Sequence, residues 1–227
     1  MIYRYNIFGR WWLAAVLVCA AMIMQPGGGA KHLVWAAENG PAPIVRSYYK
    51  EMLAIVSDEN LSKEQLREEL EGMAEEIFTF QVMSQMSLGR MWRDLDSDQK
   101  KEFVDLFTRL LENTYFQKIE KYLDQITKYS AEDLQVTNEI IFSSRKAEVQ
   151  STINYDGKAV PVHYRFVKLD AGWKVYDVLV EEVSLVQNYR SQFNDALQKK
   201  SVSVFMQDLR DKVQELESAQ VSKDANT

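Results

Sequence analysis

Apolar residues recur at helical spacing through most of the first half of the chain. One such series begins with Val45, Tyr48 and Met52, and charged residues occupy the intervening positions. A one-sided apolar stripe of this kind is typical of an amphipathic helix that covers a core. The pattern predicts four helices. The first runs from Ile44 to near Ser57, the second is capped by Ser62, and a short third helix ends at Gly89. The fourth and longest runs from Asp96 to about Lys128, with a break near Asn113 and Thr114, and Asp96 and Gln99 have the spacing of a capping box at its start.

Beyond residue 130 the period of the pattern changes from helical to two. Apolar and polar residues alternate over 147–155 and again over 160–166, and Asp156-Gly157 between them is a two-residue hairpin signal. A weaker strand is expected over 134–142 and a further one over 173–180. The sequence therefore predicts an α+β fold, an antiparallel sheet of about four strands packed against several helices. The space between sheet and helices is the place for an apolar ligand cavity, if the protein has one.

The segment from Trp173 to Val180 is apolar on both of its predicted faces. Regular alternation puts Val175 with Leu179 on one face and Val178 on the other. A strand of this composition is normally covered on both sides. The helical period then returns: a helix capped by Ser184 carries Leu185, Val186, Tyr189 and Phe193, and a last helix carries Phe205, Leu209, Val213 and Leu216.

The N-terminus has the layout of a secretory signal peptide. Arg4 and Arg10 precede an apolar run over 11–24, and small residues follow near two candidate cleavage sites, after Ala36 or after Ala30. An uncleaved anchor is the alternative. We expect a signal peptide over 1–36, a single α+β domain over 37–217 and a disordered tail over 218–227, and therefore an exported protein.

The charge and cysteine content narrow the range of functions. Loss of residues 1–36 removes three basic residues and no acidic one, and changes the net charge from −6 to −9. It also removes Cys19, the single cysteine, so no disulfide framework is expected. An acidic chain without a basic patch is a poor candidate for nucleic-acid binding. Its negative net charge also disfavours stable binding to an anionic membrane.

Catalytic chemistry finds little support in the sequence. His163 is the one histidine after residue 36, and it lies on the polar face of a predicted strand. The chain has no zinc-ligand spacing, no nucleophile elbow and no phosphate-binding glycine loop. We therefore expect a protein that is not an enzyme and uses neither a metal nor a cofactor.

One weakly charged segment favours binding of an apolar ligand. Residues 78–92 contain phenylalanines, methionines and Trp92, with Arg90 as the one charged side chain. Core packing explains most such residues. Methionine side chains are flexible and polarizable, however, and they suit a cavity whose occupant varies in shape.

A set of short segments, in a fixed order, carries a family resemblance. They are Leu88-Gly89-Arg90-Met91-Trp92, Gln99 to Phe103, Thr114-Tyr115, Trp173 to Val178, and Val183 to Phe193, which contains NYRSQF. Together they resemble the toluene-tolerance family, the periplasmic phospholipid-binding component (MlaC) of the Mla ABC transport system, which maintains outer-membrane lipid asymmetry. The resemblance covers roughly residues 44–209.

This resemblance implies a periplasmic phospholipid carrier, expected to be a monomer, in which the acyl tails are held between sheet and helices. Its implied partners are an inner-membrane ABC transporter complex and an outer-membrane lipoprotein and porin complex. An adaptor that only bridges membrane complexes is the alternative, and a hydrolase acting on lipids is a weaker one. The expected lipid-lining residues are Met83, Leu88, Met91, Trp92, Phe103, Phe107, Tyr115, Val149, Ile153, Tyr164, Phe166, Val175 and Val178.

Two further expectations concern polar groups. Asp177 interrupts an apolar strand, and a buried carboxylate needs a charged or hydrogen-bonding partner, for which Arg190 is the candidate, whereas the alternative leaves both side chains in solvent. The apolar segments near the expected cavity mouth carry few basic residues apart from Arg90. We therefore expect recognition of lipid tails with little headgroup discrimination.

Overall fold

The computed structural model describes residues 40–224, so the expected signal peptide lies outside the described residues. Six α-helices and five strands follow one another along this part of the chain. They are α1 (Ala42–Val56), α2 (Lys63–Ile77), α3 (Phe80–Leu88), α4 (Ser97–Ile126), β1 (Leu134–Ser143), β2 (Lys146–Tyr155), β3 (Lys158–Leu169), β4 (Gly172–Val180), β5 (Val183–Ser184), α5 (Leu185–Leu197) and α6 (Val202–Asp224), with short 3₁₀ helices at Gly89–Arg93 and Ala131–Asp133.

Side-chain caps fix where the helices begin. Ser62 and Gln65 form a capping box at α2, and Asp96 and Gln99 form another at α4. Each box satisfies backbone N–H groups that a helix start leaves without intrahelical partners. The predicted caps are therefore confirmed. Gly89 ends α3 with a φ of 57°, a backbone conformation that glycine adopts without steric cost.

Helix α4 is continuous through the position where a break was expected. Asn113 lies inside this helix of 30 residues, and its side-chain amide donates a hydrogen bond to the Arg109 carbonyl oxygen at 2.8 Å. Because that bond is made one turn back along the same helix, the side chain does not interrupt the backbone ladder. The predicted break is wrong. Helix α6 also runs to Asp224, past Ser218, where a disordered tail was expected.

The strands form one antiparallel meander in the order β1-β2-β3-β4-β5. Asp156 and Gly157 join β2 to β3 with φ values of 51° and 73°, as expected for a two-residue hairpin turn. The fold is α+β, as predicted. Strand β5 is an addition to the four expected strands, because its two residues are too few to show a period.

A register shift in β4 changes which of its side chains share a face. Val175 lies opposite Phe166 and Val178 lies opposite Tyr164, and the register shifts between these two pairs. A bulge inserts one extra residue, so side chains three positions apart point to the same side of the sheet. The predicted separation of Val175 from Val178 is therefore wrong. The face of β4 opposite the core carries Asp177 instead.

The core lies between one face of the sheet and the helices. Strands β2 and β3 direct Val149, Tyr164 and Phe166 into it, and residues of all six helices belong to the same cluster. The connection from β4 through β5 to α5 joins the sheet directly to the helical layer. This two-layer arrangement positions the candidate site.

Candidate functional site

Two rows of apolar side chains cross the inner face of the sheet. Val149, Tyr164 and Val178 are directly paired across β2, β3 and β4, and Ala147, Phe166 and Val175 form the adjacent row. All six side chains are buried. Directly opposed residues point to the same side of a sheet, so the two rows present a continuous apolar surface toward the helices.

A small cavity lies between this surface and the first two helices. Its volume is about 10 Å³. A space of this size holds about one water molecule. Sheet and helices are in contact around this cavity, which is bounded by side chains of both layers. Its lining residues are Ile44, Val45, Tyr48, Ile77, Phe78, Tyr164, Phe166 and Val175.

Three of the predicted lipid-lining residues, Tyr164, Phe166 and Val175, line this cavity. The five lining residues from the helical side were not among those predicted. Val45 and Tyr48 lie on the apolar stripe of α1, which the sequence pattern identified only as a core face, and Ile44 is the residue at which that helix was expected to begin. No sequence signal separates a cavity wall from ordinary core on such a stripe.

Other predicted residues pack in the helical part of the core. Phe103 and Phe107 are stacked with ring centroids 5.8 Å apart, and Phe193 contacts both rings edge to face at 5.7 and 5.5 Å. Trp92 lies 6.5 Å from Phe103 and, like Met91, is partly exposed. These rings fill space between α4, α5 and α6. The further predicted residues Met83, Leu88, Tyr115, Val149, Ile153 and Val178 are buried in the same core.

A second recess is an open groove of about 660 Å³ between α2, α4 and α6. None of its lining residues belongs to a strand. Its sides carry Lys63, Lys118, Lys121 and Lys212 around an apolar floor. An acyl tail in so open a groove keeps much of its surface in water, and burial of a tail is favourable only in proportion to the area removed from water. We therefore place the candidate site at the enclosed cavity.

On the outer face of the sheet, Asp177 binds a partner other than the one expected. Asp177 is 2% exposed, and Arg165 Nη1 lies 3.3 Å from its Oδ2 atom. The Ser184 hydroxyl donates to the same oxygen at 2.7 Å, and the Val186 N–H donates to Oδ1 at 3.0 Å. This carboxylate therefore ties β3 and β4 to the start of α5.

Opposing effects act on the two carboxylates that Arg165 joins. Burial raises the pKa of Asp177, and its hydrogen bonds and Arg165 only partly offset this rise. Burial also acts on Glu148, but hydrogen bonds from Gln150 and Arg165 outweigh it and lower the pKa of that carboxyl. Arg165 Nε lies 3.0 Å from Glu148 Oε2, so one guanidinium bridges three adjacent strands.

Arg190 lies against the turn after α3 and not beside Asp177. A Cβ atom at Gly89 would be 2.8 Å from Arg190 Nε, so the guanidinium packs directly on the glycine backbone. The predicted pairing of Asp177 with Arg190 is therefore wrong. Sequence spacing suggested a helix folding back to its strand, whereas the partner is the cross-strand neighbour of Asp177.

Two buried carboxyl groups are candidates for acid–base chemistry. Burial raises the pKa of Glu112 to about 8 and that of Glu71 to about 7, although Arg67 Nε lies 2.5 Å from Glu71 Oε1 and lowers the latter. Strongly shifted pKa values mark functional sites in some proteins and buried structural networks in others. Neither residue lines the cavity or the open groove, and we assign both to the contact between α2 and α4.

The described residues also bear on metals and membranes. Between residues 40 and 224 no cluster of three or more His, Cys, Asp or Glu side chains is placed to hold a metal ion. Within the same part of the chain, no helix combines the length and the apolar character needed to cross a membrane.

Comparison with known proteins identifies relatives of this architecture. The sequence profile of the family described as MlaC protein matches residues 46–211. A solved structure of a phospholipid-binding protein from Ralstonia solanacearum, in complex with a phospholipid, aligns with a TM-score of 0.63 and 22% identity over 79% of this chain and 99% of the other. A search of curated proteins found no match.

Proposed function

Because the chain belongs to the MlaC protein family, we propose that it is a phospholipid carrier that holds acyl tails between its sheet and its helices. The Ralstonia protein with the same fold is described as bound to a phospholipid. The proposed function is binding and transfer of lipid, not catalysis.

The observation that carries this proposal is the apolar space between the sheet and the first two helices. Its lining combines aliphatic and aromatic side chains from both layers. Exposure of a sixteen-carbon tail to water costs about 12 kcal/mol, at ~0.8 kcal/mol per methylene. A tail is therefore protected only where apolar walls surround it.

Loading requires the two layers to separate, because the closed cavity of about 10 Å³ is much smaller than an acyl chain. The inner rows of the sheet meet the helices mainly through apolar contacts. Such contacts are non-directional, so a lipid tail that enters replaces them with contacts of the same kind. Uptake and release are then nearly balanced in free energy.

We further propose that the protein is an exported periplasmic monomer that carries lipid between outer-membrane and inner-membrane Mla complexes. Family membership supports this proposal. Since a balanced carrier has no preferred direction, docking to the two complexes sets the direction of transport. An adaptor would bind the same docking partners but would carry no lipid, so detection of bound lipid distinguishes a carrier from an adaptor.

Native mass spectrometry of gently purified protein tests the proposal. We expect wild type to retain phospholipid and Ile44→Asn to lose most of it, because Ile44 lines the cavity at a half-buried position that tolerates a polar side chain. Ile55→Asn is the matched control: it changes the same residue type on the same helix, also half-buried, but away from the cavity.

Two outcomes would overturn the proposal. Wild-type protein without any bound lipid would favour the adaptor. Equal lipid content in folded Ile44→Asn and Ile55→Asn would show that the tails lie elsewhere.

A further inference from the structure

One end of the sheet exposes an unusual amount of apolar surface. The turns of the β1–β2 and β3–β4 hairpins lie side by side there, joined by a 2.9 Å hydrogen bond from the Lys168 N–H to the Arg145 carbonyl oxygen. We call residues 141–146 and 167–174 the hairpin end. Ile141 is 53% exposed, Phe142 60% and Leu169 38%, which makes three of the five large exposed apolar side chains of the described residues.

The hairpin end is also basic, although the chain as a whole is acidic. It carries Arg145, Lys146, Lys168 and Lys174 against one acidic residue, Asp170, whereas the net charge of the chain is −6. Net charge averages over the surface and conceals this local excess. The Lys168 ammonium also lies 5.6 Å from the centre of the Trp173 ring, which places an aromatic side chain and a cation together at the edge of the patch.

The hairpin end adjoins the cavity. Phe166 and Val175, which line the cavity, are a directly opposed pair on the inner face of the sheet. The next pair outward on the same face is Lys168 with Trp173. A lipid that enters from this end therefore passes the exposed apolar and basic residues before its tail reaches the cavity wall.

The expectation that few basic side chains lie near the cavity mouth left out the hairpin end, where Lys168 and Lys174 follow the cavity-lining pair. Lys168 occupies the inner-face row next to the cavity, and Lys174 follows Trp173 on β4. Both residues are distant in sequence from Arg90 and the 78–92 segment on which that expectation rested. The expected lack of headgroup discrimination itself stays a prediction.

We propose that the hairpin end docks on the surface of a bilayer that contains anionic phospholipids. Ile141, Phe142 and Leu169 enter the interface, and Arg145, Lys146 and Lys168 contact lipid phosphates, whereas the Lys174 ammonium donates a hydrogen bond to the Glu76 carbonyl oxygen. Apolar tips surrounded by cations are the pattern of interfacial membrane contact. The three exposed apolar side chains lie at the ends of two strands, beside basic side chains, and this combination favours an anionic lipid surface over a protein. The inference rests on the proposed carrier function, because docking brings the cavity to its cargo.

Co-sedimentation with protein-free vesicles tests the inference. We expect wild type to bind vesicles of phosphatidylcholine mixed with phosphatidylglycerol better than vesicles of phosphatidylcholine alone, and to bind less as salt rises. Arg145→Glu with Lys146→Glu should lower the partition coefficient by at least about tenfold, since each basic residue near an anionic surface contributes ~1 kcal/mol. Ile141→Ser should also weaken binding.

Matched controls separate this surface from general effects. Val183→Ser alters an aliphatic side chain that is 53% exposed, as Ile141 is, but lies at β5. Arg90→Glu with Arg93→Glu makes the same change in net charge on a 3₁₀ helix outside the hairpin end. All variants share residues 1–39, so any contribution of that segment to vesicle binding is the same in each of them. We expect both controls to bind as wild type does.

The outcomes distinguish docking from lipid carriage. The docking inference is overturned if wild type shows no preference for anionic vesicles, or if the hairpin variants and their controls lose vesicle binding equally. The hairpin end would then be a contact surface for a protein partner. Bound lipid is measured on the same samples by native mass spectrometry. Protein that binds vesicles but holds no lipid contradicts the carrier proposal and not the docking surface.

Discussion

At the residue scale, the Asp177 carboxylate shows how this chain compensates a buried charge at the junction of its two layers. Burial of an isolated carboxylate is strongly unfavourable, and hydrogen bonds to the charged form offset the cost. Asp177 accepts bonds from the Ser184 hydroxyl and the Val186 N–H and pairs with Arg165. Removal of the carboxylate therefore leaves polar groups of both β5 and α5 without their acceptor.

We predict that Asp177→Ala lowers the free energy of unfolding by about 3 kcal/mol, because several buried donors lose their acceptor. Arg165 is about one-third exposed, so water screens its charge, and we expect a coupling of about 1 kcal/mol between Asp177 and Arg165 in a double-mutant cycle. Urea unfolding of both single variants and the double variant measures it. As a control, the effects of substituting Asp177 and Arg190 on the free energy of unfolding should be additive. Additive effects of Asp177 and Arg165 would contradict the assignment of Arg165 as the partner of Asp177.

At the element scale, the two-residue turn between β4 and β5 carries backbone strain. Glu181 and Glu182 have φ values of 49° and 67°, the left-handed region that favours glycine. Val180 and Val183 pair across this turn, so the conformation is imposed by the hairpin. The Glu182 carboxylate lies 3.6 Å from His163 Nδ1 but is largely exposed, so this contact offsets little of the strain.

We predict that Glu182→Gly raises the free energy of unfolding by about 1 kcal/mol, because glycine adopts a positive φ without the steric cost that other residues bear. Thermal and urea unfolding measure the change. Glu69→Gly, at an exposed position inside α2, should instead lower the stability by about 1 kcal/mol, since glycine disfavours helix interiors. A loss of stability in Glu182→Gly would show that the His163 contact outweighs the strain.

Elements with local causes were predictable from the sequence, and those with non-local causes were not. The capping boxes at Ser62 and Asp96 and the Asp156-Gly157 turn depend on residues within four positions of each other. The register shift that puts Val175 and Val178 on one face depends on pairing with β3, which the alternation of β4 alone does not contain. The same holds for the Arg165 partner of Asp177.

At the scale of the whole molecule, the sequence predicted the architecture better than the site. Both layers of the cavity come from segments whose apolar faces were recognised. The wall from α1, however, is formed by Ile44, Val45 and Tyr48, which lie more than 100 residues from the strand residues Tyr164, Phe166 and Val175 that they face. Composition cannot identify which part of an apolar face remains loosely packed, because packing density depends on how distant elements meet.

The shared core of sheet and helices leads to a prediction about lipid removal. Because residues of the sheet and of all six helices pack into one apolar cluster, we expect the chain to keep a packed core after its lipid is removed. We expect delipidated protein to unfold cooperatively and to bind no more of a hydrophobic dye than loaded protein does, and added phospholipid to raise its Tm by mass action. Ile44→Asn should unfold cooperatively with a smaller lipid-dependent rise. Calorimetry with and without lipid measures both effects. Loss of near-ultraviolet circular dichroism and strong dye binding after delipidation would show instead that the lipid is part of the core, because these are the marks of a molten state.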